Sequence, residues 1–130
     1  MKITQVISDT NVGGAGVLLS SIVSALKDEF EFEVILPRAS LLYGRFPDTV
    51  RVTSLQVAKD RSFHPKDVAT FASYFRKTRP DVIHTHAALS ARIAAKLSCS
   101  AVCCSTRHCS HPSHSVTKLS APRLALYNFC

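Results

Sequence analysis

An α/β fold, with a mostly parallel sheet and helices on both faces, is predicted by three features of this sequence. Strand-like and helix-like patterns alternate almost throughout, which is the order of βαβ units. The strand-like runs are short, mostly apolar and bounded by turn residues, as buried strands are. The chain has 130 residues, 46% of them apolar, enough for one real core and too few for two ordinary domains.

The elements follow in order. Lys2 to Ser8 reads as a buried strand. Asp9 to Gly16 holds three of the four glycines and leads into a helix whose apolar positions are Val17, Leu18, Ile22, Ala25 and Leu26, with Lys27 near its end, where a cation suits the macrodipole. Glu33 to Leu36 is a second strand, stopped by Pro37. Leu41 to Pro47 reads as loop or short helix, and Val50 to Leu55 as a third, less buried strand. His64-Pro65-Lys66-Asp67 is a good helix start, because proline is tolerated at the first helical position. Val68, Phe71, Ala72 and Phe75 then share one face, and Pro80 ends the helix. Asp81 to His86 is the fourth strand, Leu89, Ile93, Ala94 and Leu97 mark the next helix, and Ala101 to Thr106 is the fifth strand. A polar loop from Arg107 to Lys118 precedes a last helix through Leu119, Leu124 and Tyr127.

The formal net charge is +7, which attracts anions in general: nucleic acid, acidic lipid or phosphorylated small molecules. No apolar stretch approaches the roughly twenty residues of a membrane span. The N-terminus has too short a hydrophobic run and no small-residue cleavage site, so it reads as a strand rather than a secretion signal, and a cytoplasmic protein is expected. The five cysteines are odd in number, and four crowd into one segment. Reduced thiols are expected rather than a disulfide framework.

In open α/β sheets ligands bind beyond the carboxyl ends of the strands, so the residues just after each strand carry the candidates. Asn11-Val12-Gly13-Gly14-Ala15-Gly16 lies between a strand and a helix. Its glycines would let backbone N–H groups approach an anion, with the helix N-terminus adding positive potential. It is neither a dinucleotide fingerprint nor a P-loop, and a plain tight turn fits it as well. His84 and His86 fall on one side of the fourth strand; His84 reads as a hydrogen-bonded core residue and His86, at the strand end, as the functional one. Thr106-Arg107-His108 follows the fifth strand, where Arg107 or His108 would face a phosphate or hydroxyl. Cys99, Cys103, Cys104, His108, Cys109, His111 and His114 invite a zinc reading. Their spacing is poor for it, since no Cys-x-x-Cys pair exists and Cys103 and Cys104 point to opposite faces of a strand. Lys59, Arg61, Lys66, Arg76, Lys77 and Arg79 make a solvated basic face that would also suit an anionic membrane surface.

Three stretches, in this order, resemble the N-terminal domain of family-4 glycosyltransferases. They are the first strand running into Asp9-Thr10-Asn11-Val12-Gly13-Gly14-Ala15-Gly16, then Arg79-Pro80-Asp81-Val82-Ile83-His84-Thr85-His86, similar to the family's "kPDvIHtH" strand, and Thr106-Arg107-His108, similar to its "T-x-H". The resemblance implies the Rossmann-like, acceptor-side half of a two-domain GT-B enzyme. Such an enzyme transfers a sugar from a nucleotide donor with retention of configuration, usually without a metal. It places Gly13, Gly14, Gly16 and Arg107 toward the donor, His108 against the donor sugar at the reaction centre, and Asn11 and His86 on the acceptor side. The implied partners are a nucleotide-sugar co-substrate and a lipid-linked or polysaccharide acceptor of the bacterial envelope; the basic face adds a peripheral contact with an anionic membrane at the cytoplasmic side. Neither nucleic acid nor any further cofactor is implied.

The sequence departs from the family at Gly16, where members often carry Glu or Gln. The family's second domain, with its paired glutamates, has no counterpart here, since Glu29, Glu31 and Glu33 do not match that motif. The chain also stops at Tyr127-Asn128-Phe129-Cys130 inside an apolar periodic segment. A truncated domain without transferase activity of its own is therefore expected. Two other readings stay open: a stand-alone nucleotide- or phosphate-binding module using the same glycine loop, and a zinc-binding interaction domain built on the cysteines and histidines.

Overall fold

The computed structural model describes residues 1–58, 63–98 and 101–106. Its elements are β1 (Lys2–Ile7), α1 (Gly14–Leu26), β2 (Glu31–Pro37), β3 (Arg51–Leu55), α2 (Pro65–Thr78), β4 (Val82–His86), α3 (Leu89–Ser98) and β5 (Val102–Thr106). The strands form one sheet in the order β3-β2-β1-β4-β5, with every neighbouring pair parallel. This is the predicted α/β architecture.

The chain leaves β1 in one direction along the sheet, to β2 and β3, then returns past β1 to β4 and β5. Right-handed crossovers then require helices on opposite faces. Val6, Ile35 and Ile83 meet Phe71, Ala72 and Phe75 of α2 and Ala91, Ala94 and Ala95 of α3 on one face. Ile7, Phe32, Val34 and Leu36 meet Leu19 and Val23 of α1 on the other, with Leu42, Phe46 and Val50 closing the flank. Alternation along β2 thus feeds both cores, Ile35 one way and Val34 and Leu36 the other.

Helix α2 is as expected. Pro65 stands in its first turn, and Arg79 caps it in the left-handed region at φ 44°, donating its N–H to Phe75 O at 2.9 Å. Helix α1 differs in phase. Its buried residues are Gly16, Leu19 and Val23, whereas Val17 and Leu18 are 51% and 44% exposed. Its sequence is apolar nearly all round, so periodicity alone could not choose the inward stripe. In α3 the buried face is Ser90, Ala91, Ala94 and Ala95, and Leu97 points outward. Small residues win that face because α3 packs closely on α2. Strand β2 begins at Glu31, two residues before the expected start, and continues through Pro37. Residues 38–50 contain neither helix nor strand; Leu42 and Phe46 pin them to the core.

Gly16 is where that pinning happens. A Cβ on it would lie 2.5 Å from Leu42 Cδ2, and Leu42 is itself fully buried. The glycine lets α1 and the 38–50 segment close on each other. Gly16→Ala is expected to cost about 1–2 kcal/mol net, overpacking outweighing the gain in helix propensity. A urea midpoint equal to or above that of the parent chain would show that Leu42 moves aside at no cost.

Candidate functional site

The order of strands reverses between β1 and β4, so their carboxyl ends open a crevice at a topological switch point. Ile7 and His86 are register partners, and the two chains leave the sheet side by side there. Ser8 Oγ donates to Ala87 O at 3.3 Å, tying the exits together. Ala87 holds a left-handed φ of 55°, a conformation that an alanine adopts only under constraint from its surroundings.

One wall of the crevice is the glycine loop. Thr10 O accepts from Leu41 N–H at 2.8 Å and from Ser40 Oγ at 3.5 Å, which fastens the loop to the 38–50 segment. Helix α1 starts at Gly14, so Gly14, Ala15 and Gly16 form its first turn. The first bond of that turn runs from Val17 N–H to Gly13 O at 3.1 Å. The N–H groups of residues 14–16 therefore have no acceptor within the helix. The N-cap Gly13 offers no side-chain oxygen, and no acidic residue stands in the first turn. Asn11, Gly13 and Gly14 are exposed on the rim, whereas Gly16 is buried against Leu42. Added Cβ atoms at Gly13 and Gly14 would meet nothing within 4 Å, and neither residue has a positive φ.

His84 and His86 lie on the α1 side of the sheet, on the face opposite Ile83. Their rings are 4.3 Å apart between centroids. Their burial reverses the expected order. His86 is fully buried, and its Nε2 lies 3.0 Å from Gln5 Oε1, whereas His84 is half-buried with Nε2 2.7 Å from Thr106 Oγ1. With the Gln5 carbonyl as acceptor, His86 Nε2 carries the hydrogen. Alternation predicted that the two rings share a side; the Gln5 partner across the strand pair decided which is sealed. Gly14 and His86 thus lie at the carboxyl ends of the adjacent strands β1 and β4. Arg107 and His108 lie outside the described residues, as do Cys99, Cys109, His111, His114, Lys59 and Arg61. Cys103 packs against the α2–α3 core and Cys104 is exposed, as their alternation required. Partial desolvation of the Cys104 thiol raises its pKa above the ordinary value. No group of three metal-ligating side chains occurs among the described residues.

In the sequence the opposite wall is legible only as a helix start. Ser90 Oγ accepts from His64 N–H at 2.8 Å and donates to His64 O at 3.1 Å, clasping the start of α2 to α3. Asp67, buried, accepts from Ala58 N–H at 3.0 Å through Oδ2, and its Oδ1 lies 3.8 Å from His64 Nδ1. A void of about 10 Å³, the size of one water, lies beneath, lined by Ser8, Asp67, Ala88 and Ser90. The His64-to-Asp67 spacing was the signal available in the sequence. The Ser90 clasp was not visible, because it joins residues on two helices.

A doubly wound parallel sheet with a glycine-rich turn at its switch point defines the Rossmann-like class of α/β proteins. The sequence profile described as Glycosyltransferase Family 4 matches residues 12–129, and the chain belongs to that family. Among solved structures it is similar to the apo form of the lipopolysaccharide outer core galactosyltransferase WaaB. That match has a TM-score of 0.58 and 18% identity, over 89% of this chain and 36% of the other. It is also similar to UDP-GlcNAc 2-epimerase from Methanocaldococcus jannaschii, with a TM-score of 0.64 and 15% identity over 99% of this chain and 37% of the other. The chain spans little more than a third of the length of either. No curated protein sequence matches it. No described helix is long and apolar enough to cross a membrane.

Proposed function

We propose that this chain is the acceptor-side half of a retaining glycosyltransferase that moves a sugar from a nucleotide-sugar donor to a lipid-linked or polysaccharide acceptor. A donor-binding half is needed for turnover. The observation that carries this reading is the uncapped start of α1, opening on the switch-point crevice behind two glycines that neither packing nor backbone conformation requires. Glycines at such positions suit close approach of a ligand to the backbone. A nucleoside diphosphate leaving the sugar gathers negative charge, and N–H dipoles fixed beforehand stabilise it without reorganising. Gly13 and Gly14 take that role here, and Gly16 sets the helix position that aims it. Arg107 and His108 are assigned to the donor phosphates and the donor sugar by resemblance. Asn11 and His86 belong to the acceptor side, where buried His86 acts through the rim it supports. Exposed Lys66, Arg76, Lys77 and Arg79 support a peripheral contact with an anionic membrane holding the acceptor. No metal or further cofactor enters the proposal.

Gly14→Ala separates function from folding. The fold has room for the methyl group, so the variant is expected to be as stable as the parent or up to about 1 kcal/mol more stable. In the enzyme containing both halves, release of nucleoside diphosphate from UDP- or GDP-sugars is expected to fall about tenfold or more, because the methyl intrudes on the phosphate position. Unchanged turnover would remove this loop from the donor contact.

A further inference from the structure

The crevice has two walls, and the glycine loop accounts for only one. We propose that His64, on the α2–α3 wall, is a contact for a hydroxyl of the acceptor sugar, with Asp67 and Ser90 as its positioning residues. This rests on the glycosyltransferase reading and names a residue of the same site.

Three observations carry it. First, the His64 backbone is clasped by Ser90 Oγ through N–H and C=O, and its buried ring nitrogen Nδ1 lies 3.8 Å from the Asp67 carboxylate with no hydrogen-bond partner among the described residues. Second, the side chain is nonetheless 38% exposed. With Nδ1 sealed, that exposure falls on the rest of the side chain, where the far edge of the ring carries Nε2. Third, the void lined by Asp67 and Ser90 is also lined by Ser8 and Ala88, which follow β1 and β4. Asp67 and Ser90, the neighbours of His64, therefore border the switch point, on the face opposite α1 and its glycine loop.

The Asp67 carboxylate, 3.8 Å from Nδ1, favours one tautomer. A hydrogen on Nδ1 faces Asp67 favourably and leaves the Nε2 lone pair as an acceptor. In that tautomer the Nε2 lone pair accepts one hydrogen bond from a hydroxyl and orients its oxygen. Orientation of a reacting hydroxyl is where much of the rate of a group transfer arises. If the donor diphosphate lies on the glycine loop, a hydroxyl held by His64 approaches from the other wall.

The test uses the enzyme with both halves, a UDP- or GDP-sugar chosen by its slow hydrolysis in water alone, and octyl glucoside, galactoside and mannoside below their micellar concentrations as acceptor probes. His64→Ala is expected to lower the ratio of transfer to hydrolysis about tenfold to a hundredfold, mainly through KM and kcat for the glycoside. His64→Gln, whose amide oxygen can accept in place of Nε2, is expected to recover much of that ratio. Asp67→Asn should lower it without removing the ring. An unchanged ratio in His64→Ala, or equal loss of transfer and hydrolysis, would overturn the assignment. So would a parent enzyme that hydrolyses the donor yet glycosylates none of the three probes. Absence of any donor turnover in the parent enzyme is a distinct result: it removes the glycosyltransferase reading, and the His64 contact falls with it.

Discussion

Phe75→Ala is expected to destabilise the domain by about 3–5 kcal/mol, a large share of the roughly 5–15 kcal/mol that holds such a fold. Phe75 is fully buried and stacks on Phe71 with centroids 5.8 Å apart. It fills the space between Ile35 and Ile83 of the sheet and the alanine face of α3. Those alanines matter for the magnitude. Short side chains let α2 and α3 approach closely, but none is long enough to swing into a hole left by the ring. The cavity should persist, which places the effect high in the range. Urea denaturation followed by circular dichroism measures it. A loss below about 1.5 kcal/mol would mean that the helices collapse onto the sheet and refill the void.

Tyr74→Phe is expected to cost about 1.5–3 kcal/mol, the scale of a hydrogen bond to a charged group. Glu33 on β2 is almost fully buried. Its Oε1 accepts from the Tyr74 hydroxyl and from Thr53 Oγ1 at 3.1 Å, and faces Arg51 Nε at 3.3 Å. Its Oε2 has no partner among the described residues. Removing the phenol leaves a buried carboxylate with one neutral donor and a guanidinium that is two-thirds exposed. The same network sets an alkaline limit. Burial, then the hydrogen bond to Glu33, holds the Tyr74 pKa above its ordinary 10.0. A raised acid is stabilised in its protonated form, so its contribution is complete below pH 10 and disappears as pH rises through the folded-state value. The stability gap between parent and Tyr74→Phe should therefore be full at pH 8 and narrower at pH 11. Cys104, raised in the same direction, titrates in both proteins and cancels in the difference. A gap that stays constant or widens with pH would show that Tyr74 does not titrate against Glu33.

Legibility of the fold in the sequence varied by element for physical reasons. Helix α2 was readable because its apolar residues fall on one side and its charges on the other, so period and phase come together. Helix α1 gave its period but not its phase. Strand β4 was read within a residue, and the pairing of His84 with His86 on one face followed from alternation alone. Which of the two rings is sealed did not, because Gln5 comes from a strand 81 positions away along the chain. Glu33 is not legible as a structural residue, since a carboxylate between Phe32 and Val34 reads locally as a charge at a strand edge. Its donors lie on β3 and α2. The sequence likewise marks His64 only by its place at a helix start, whereas Ser90 and Asp67 give it a neighbourhood.

The sequence by itself determined the α/β class, the succession of elements as far as β5, the strand ends that carry the glycine loop and His86, and the family; the expected last helix through Leu119, Leu124 and Tyr127 lies outside the described residues. All of these are written in periods of a few residues or in short ordered motifs. Tertiary structure decided which stripe of α1 faces inward, why Gly16 is a glycine, which histidine is buried, and that Glu33 and His64 have partners. Those outcomes depend on strand register and on helices meeting across the sheet, so they join residues that no local pattern connects.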